Sequence, residues 1–356
     1  MSTRSGADRE VPALGTYPWD MPARRTDPRA RVTVTEMAAL AVGGGLMVAG
    51  TVSIALHAVP SLQLVHRYAV MATALIPLGV PAFAGAAVIF ATARTRWARP
   101  ATLAALAGVA LTAWWTTPYW PTPAKAQATR ADSVTLLTMN LRCISPGMTD
   151  LASVAERARP DVVVVQGLLG SERESLADSW SQLLPHSTFH PMPDLPECGT
   201  FVFSTTPLRT LSGPGDAQPV VEVGRPGGPF VLLPVDLPTP TTSIAPWVDG
   251  FTHLSDAVAA HRGSPLVAAG DFNAVREHAP MRQLLEETGL RDAATASGNG
   301  WTPTFPSQRW HPPVLSLDHV LISADLGASV VRTQAIEGQE HLALLVVVDM
   351  ADGQTP

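Results

Sequence analysis

The sequence predicts an α/β domain carried behind three membrane-spanning helices, and two observations predict it. The first is that the chain before residue 121 holds three long stretches with no charged residue. The second is a series of short apolar runs in the remaining two thirds, each of which begins or ends at a polar residue. Charged residues make up only 15% of the 356, against about a quarter in an average soluble chain, and mean hydropathy is positive.

Residues 1–36 mix Pro, Gly, Arg and Asp without apolar periodicity and read as a disordered tail. Met37 to Leu56, Ala69 to Ala93 and Ala101 to Trp120 are each near the ~20 apolar residues that cross a bilayer, so each is expected to be a transmembrane helix. Pro77 and Pro81 predict a kink in the second, which neighbouring helices can accommodate. Trp114, Trp115, Tyr119 and Trp120 close the third as an aromatic belt. Gly43, Gly44 and Gly45 would let helices approach closely.

Basic residues give the orientation. Arg4, Arg9, Arg24, Arg25, Arg29 and Arg31 precede the first span, and Arg94, Arg96 and Arg99 separate the second from the third. Only Arg67 lies between the first two, and Lys125 and Arg130 follow the last. The positive-inside rule then places the N-terminus in the cytoplasm and the C-terminal domain outside, in a multi-pass protein of the cell membrane. Residues 121–132, rich in Pro and Ala, read as a tether, and 351–356 as a tail.

The domain itself spans 133–350. Its most informative stretch is Gly270-Asp271-Phe272-Asn273-Ala274, which follows the apolar run Pro265 to Ala269. This places a carboxylate and a carboxamide where a buried strand ends. Water-mediated attack on phosphorus needs such a pair, an acceptor to orient or deprotonate water and an amide to steady charged oxygens. A plain Asp/Asn/Gly turn after a core strand is the other reading. Five further segments have the same form. Val134 to Met139 runs into Asn140, Asp161 to Val165 runs into Gln166, and Phe230 to Val235 ends at Asp236. Leu317-Asp318-His319-Val320-Leu321 sets an acid and an imidazole in a strand, and Glu340-His341 opens the run Leu342 to Val348.

Taken in order, these motifs resemble the endonuclease/exonuclease/phosphatase superfamily. The resemblance covers Ser133 to Met350 and implies the deoxyribonuclease-I-like fold, a two-sheet β-sandwich flanked by helices. It implies a metal-side Asn at Asn140, an intact Gly-Asp-x-Asn at Asp271 and Asn273, and a catalytic imidazole at His341 oriented by Asp318. Gly199 to Leu208 matches a further strand of the pattern. Other positions depart from it. Gly167 follows Gln166 where the family has a metal-binding Glu, and Asp236 stands where it has a phosphate-contacting His. Glu340 replaces the Asp of the final Ser-Asp-His.

With the apolar stretches, the resemblance therefore points to a membrane-anchored phosphoesterase using a divalent metal, usually magnesium; Asn140 is the metal-side residue it implies, Asp236 and Glu340 are expected to add carboxylate ligands in place of the missing Glu, and Arg142 is expected to meet the substrate phosphate. The alternative is a degenerate relative that keeps the fold for binding. From residue 131 onward there are 12 Arg, no Lys and 25 acidic residues, a formal charge of −13. Duplex DNA is bound largely through Lys and Arg, so this balance points away from a nuclease and toward a small phosphoester or a lipid headgroup. Arg309 is a second candidate for phosphate. Cys143 and Cys198 would share one rim of the family fold, and an even count in an oxidising compartment favours their pairing. The remaining histidines, His278 among them, lack metal-ligand spacing and are expected to be structural.

Overall fold

Strands covered on both faces must be apolar at successive positions, and the first strand after the helical region shows this. In β1 (Ser133–Asn140) Leu136 joins one buried cluster and Leu137 another. The computed structural model describes residues 33–123, 133–143, 148–192, 195–213, 216, 218–307 and 310–350. The expected N-terminal tail up to residue 32, residues 124–132 of the tether, the tail 351–356 and Arg309 lie outside them.

The strands that follow are β2 (Val162–Leu169), β3 (His186–Met192), β4 (Leu195–Ser204), β5 (Leu208–Thr210), β6 (Val221–Val223), β7 (Phe230–Asp236), β8 (Leu266–Asp271), β9 (Arg291–Asp292), β10 (Asp318–Ile322), β11 (Gly327–Ala335) and β12 (Leu342–Asp349). They form two six-stranded sheets, in the orders β11-β12-β1-β2-β4-β3 and β5-β6-β7-β8-β10-β9. Leu136, Val162, Val164 and Val202 of the first sheet meet Leu232, Val267, Val320 and Ile322 of the second in the central core. The fold is the α/β two-sheet sandwich.

Helices cover both outer faces. Leu151 and Val154 of α6 (Met148–Ala158) and Leu176 of α7 (Gly170–Ser179) pack on the first sheet. Trp247 and Phe251 of α8 (Ile244–Ala260) and Met281 and Leu284 of α9 (Ala279–Thr288) pack on the second. A short helix, α10 (Ala293–Ser297), is capped by Asp292, which also accepts from His319 Nδ1 at 2.6 Å.

The expectation of three membrane spans is corrected. Among the described residues only α1 (Val34–Ala58) is by itself long and apolar enough to cross a membrane. The second predicted span breaks into α3 (Arg67–Thr73), a 3-10 turn at Ile76–Leu78 and α4 (Gly79–Thr92), after a short α2 (Pro60–Gln63). Pro77 lacks the N–H a continuous helix would use, and the two segments are bent by 55°. Counted as one broken span, the pair would raise the total to two. The third, α5 (Ala98–Trp115), begins with Arg99 and Pro100 in its first turn and is diluted by threonines. Phe83 of α4 wedges against Gly50 of α1 and Gly108 of α5, where an added Cβ would lie 2.6 Å from its ring. Gly44 and Gly45, singled out in the sequence, have nothing within 4 Å of an added Cβ.

The helical region is docked on the sandwich through polar contacts. Buried Gln63 donates to Leu56 O and Glu277 O and accepts from Ala279 N at 2.7 Å. Arg282 donates to His57 O at 2.9 Å, and the Tyr119 hydroxyl donates to Glu277 Oε2. Gln63→Leu leaves the first N–H of α9 without its partner. An unpaired buried group costs roughly 1–3 kcal/mol, and the thermal unfolding midpoint of the detergent-solubilised full chain is expected to fall accordingly.

Candidate active site

Register places three carboxylates in line. Asp271, the last residue of β8, is paired with Asp236 of β7 on one side and with Asp318 of β10 on the other. Residues directly opposite in neighbouring strands point to the same face, about 4.8 Å apart. The glycine before Asp271 is required there, because a Cβ on Gly270 would sit 1.9 Å from Val235 O. The facing sheet contributes Asn140 from the end of β1 and His341 from the residue before β12, adjacent because β1 and β12 run antiparallel.

Asp271 is the hub. Its Oδ2 accepts from Asn140 Nδ2 at 2.8 Å and its Oδ1 from the Asn273 N–H at 2.7 Å. Asn273, in a left-handed conformation, donates from Nδ2 to Leu237 O at 2.8 Å. His341 Nδ1 lies 2.8 Å from Asp318 Oδ2, and its Nε2 is 3.8 Å from Asp271 Oδ2. Phe305 covers the imidazole, with ring centroids 5.1 Å apart. Asp271, Asp318 and His341 are all buried, and their ligand atoms lie within 4.8 Å of one another.

The electrostatics follow from three acids facing one imidazole. Burial is the largest influence on His341 and opposes its charge, yet the Asp318 carboxylate beside it and then Asp271 outweigh this and raise its pKa to about 9. Burial, then Asp318, raise Asp271 to about 6, against the pull of His341 and the amide donors. Asp236 is raised furthest, to about 8, by burial and then by Asp271 and Asp318, while a hydrogen bond from Thr200 partly offsets the rise. The site is short of positive charge. A carboxylate pair that holds a proton so far above the usual acid range is a fitting oxygen donor set for a hard divalent cation. Asp271, Asp318 and His341 bring their ligand atoms close enough together to hold a cation, and Asp236 adjoins Asp271 in register.

Of the residues expected at the site, Asn140, Asp236, Asp271, Asn273 and His341 line one cleft of about 620 Å³, together with Arg142, Cys143 and Glu340. Asp318 stands behind His341. Glu340 lies outside the buried group, in an ion pair with Arg142 that leaves both half-exposed at the rim. Arg142, also left-handed, donates its N–H to Asn140 Oδ1 at 2.7 Å. Cys143 and Cys198 are joined by a disulfide that ties this rim to β4.

Sequence reasoning missed two features. Thr200 touches Asp236, and no motif marks it. Val70 and Met71 of α3 and Ala74 just after it line the cleft, although they belong to the helical region. His278, expected to be structural, spends both ring nitrogens on the backbone of Val275 and Val70 and so holds α3 at the cleft.

Gly167 has a left-handed φ of +61° where β2 loses register with β4, and a Cβ there would meet Arg142 N at 2.5 Å. The backbone of 142–143 fills the space that a glutamate would need.

A model of the Endonuclease/Exonuclease/phosphatase family matches residues 137–340. Among solved structures, the endonuclease/exonuclease/phosphatase from Beutenbergia cavernae DSM 12333 aligns over 62% of this chain and 72% of its own, at 20% identity and a TM-score of 0.50. Sphingomyelinase C from Streptomyces griseocarneus aligns over 60% and 99%, at 16% identity and a TM-score of 0.45. The mannosyl-6-phosphatase Bt3783 from Bacteroides thetaiotaomicron aligns over 60% and 99%, at 12% identity and a TM-score of 0.47. No curated protein sequence matches the chain.

Restoring the family glutamate is expected to fail for the steric reason given. Gly167→Glu forces a side chain into a conformation costing about 1–3 kcal/mol and displaces the 142–143 backbone. It should lower the unfolding midpoint without tightening metal binding in a calorimetric titration. A gain in metal affinity with no loss of stability would contradict this account.

Proposed function

Because the chain belongs to the endonuclease/exonuclease/phosphatase family, we propose that it is a metal-dependent phosphoester hydrolase, anchored in the membrane by α1. The observation that carries this reading is the buried convergence of Asp271, Asp318 and His341 with two asparagines at the floor of one cleft. Hydrolysis needs an acceptor for the water proton and a cationic donor for the phosphoryl oxygens. Asp271, ionised near neutral pH and held from both sides by Asn140 and the Asn273 N–H, orients the water. His341, kept protonated by Asp318, presents Nε2–H to a phosphate oxygen. The water oxygen bonds to phosphorus, and the ester oxygen leaves with the electron pair of the broken bond and takes a proton.

Asp236 and Asp271 would hold the divalent cation, with magnesium the natural choice for oxygen donors. When bound, it would polarise a phosphoryl oxygen and neutralise the carboxylate row. Arg142 at the rim would meet the phosphate once released from Glu340. The formal charge of −13 from residue 131 onward supports a small phosphoester or a lipid headgroup over duplex nucleic acid.

A second reading, a binding relative without turnover, is favoured by one observation: Gly167 leaves no room for the family's metal carboxylate. Hydrolysis of a panel of phosphomonoesters, phosphodiesters and phospholipids by the full chain, with and without chelator, separates the two. His341→Ala and Asp271→Ala are each expected to lower turnover by about 10²- to 10⁴-fold while leaving the circular dichroism spectrum unchanged. Absence of chelator-sensitive turnover in the unmodified chain would establish the second reading.

For orientation, the arginine-rich tail and the disulfide both favour a cytoplasmic N-terminus and an extracytoplasmic hydrolase domain. A phosphatase reporter that folds only outside the cytoplasm, fused after Pro356, is expected to be active. Activity instead of a cytoplasm-only reporter at that position would reverse the orientation.

A further inference from the structure

We infer that the apolar wall of the cleft seats the hydrocarbon tail of a membrane phospholipid, whose phosphorus is thereby brought to Asp271 and His341 from the bilayer surface. The inference rests on the phosphoesterase reading and names its substrate class. The cleft has two unlike linings. Asn140, Asp236, Asp271, Asn273 and His341 form the polar one, while Val70 and Met71 of α3, Ala74 just after it, Leu315 and Leu317 are apolar.

The apolar side is built into the fold. Val70 is 2% exposed and packs with Leu237 and Phe272 in the core beneath α8, and its carbonyl is bonded to His278 Nε2. Its neighbour Met71 is left 52% exposed at the cleft. A thioether facing water beside a row of buried carboxylates does nothing for a small, fully polar phosphoester, whereas covering it with a hydrocarbon chain is favourable.

The surface also leads to the membrane. The domain-side end of α1 is fixed by Arg282 on His57 O, so a bilayer crossed by that apolar helix would have its headgroup layer against α9. Beyond Met71, exposed apolar residues follow across the break, Leu75 at 51% and Leu78 at 58% exposed, and lead along the chain into the apolar segment Ile76–Thr92. A lipid held in the outer leaflet can slide its headgroup toward the polar floor without leaving apolar surroundings. One water is consumed per turnover: its oxygen bonds to phosphorus, the ester oxygen leaves with the bonding pair and a proton, and the apolar product returns to the bilayer.

The test uses the full-length protein reconstituted in phosphatidylcholine vesicles. Phosphodiesters with choline, glycerol and inositol headgroups are supplied with either soluble butanoyl or long oleoyl tails, and a phosphatidylcholine with a diazirine in its acyl chain reports tail contacts. For the headgroup that is turned over, kcat/KM for long tails is expected to exceed that for short tails by about tenfold or more, the discrimination an apolar pocket gives. Met71→Asp, and independently Leu315→Ser, should reduce that ratio about tenfold, and photolabel should map to the Leu315–Leu317 peptide. Equal turnover of both tail lengths, with a ratio that neither substitution changes, overturns the inference and leaves the phosphoesterase reading standing. Labelling of Leu315–Leu317 without turnover of any ester keeps the lipid seat and removes the hydrolase; neither labelling nor turnover removes both.

Discussion

Three aspartates held in register across adjacent strands are the constraint on which the rest of the site depends. Asp236, Asp271 and Asp318 occupy equivalent levels of β7, β8 and β10, so the backbone ladder itself forces their charges together. Ionising all three in a buried setting is unfavourable unless cations approach. His341 answers for part of this, which is why its proton is held so firmly and why it sits on Asp318 at 2.8 Å. The remainder falls on Asp236, which retains a proton up to a pKa of about 8. The same arithmetic of charge that makes the site costly when empty of cations makes it receptive to one.

Much of this was legible in the sequence because strand ends are marked by chemistry. An apolar run that stops at Asp271-Phe272-Asn273 has to deliver those groups to a sheet rim. Pairing of His341 with Asp318 was legible only through the family resemblance, since 23 residues and an intervening strand separate them. Asp236 was placed on the neighbouring strand end, where the structure has it. Glu340 was not foreseen in its ion pair with Arg142. That pairing depends on the left-handed turn at Arg142 and Cys143, a backbone state neither residue type announces.

The helical region shows the opposite case. Hydropathy counts apolar residues along the chain and is blind to where a helix stops, so the run 69–93 reads as one span kinked at Pro77 and Pro81, whereas the structure divides it into segments bent by 55°. The break has a structural use. It frees α3 to turn onto the sandwich, bury Val70 in the core and give its carbonyl to His278. No local pattern distinguishes such a segment from a membrane helix, because its burial is against a domain that lies two hundred residues downstream.

The Gln63 contacts with α9 and the seat of Val70 beneath α8 bear on how this chain can vary over evolutionary time. A tethered catalytic domain is usually free to be exchanged, shed by proteolysis or fused to a new anchor, because only the linker joins the parts. Here the helical region completes both the core and the cleft of the sandwich it adjoins, so a recombination point between them would leave each half with an unpaired, apolar scar. The two parts are bound to be inherited as one unit, and sequence drift in α3 should be coupled to drift in α8, α9 and the loop that ends at Leu317.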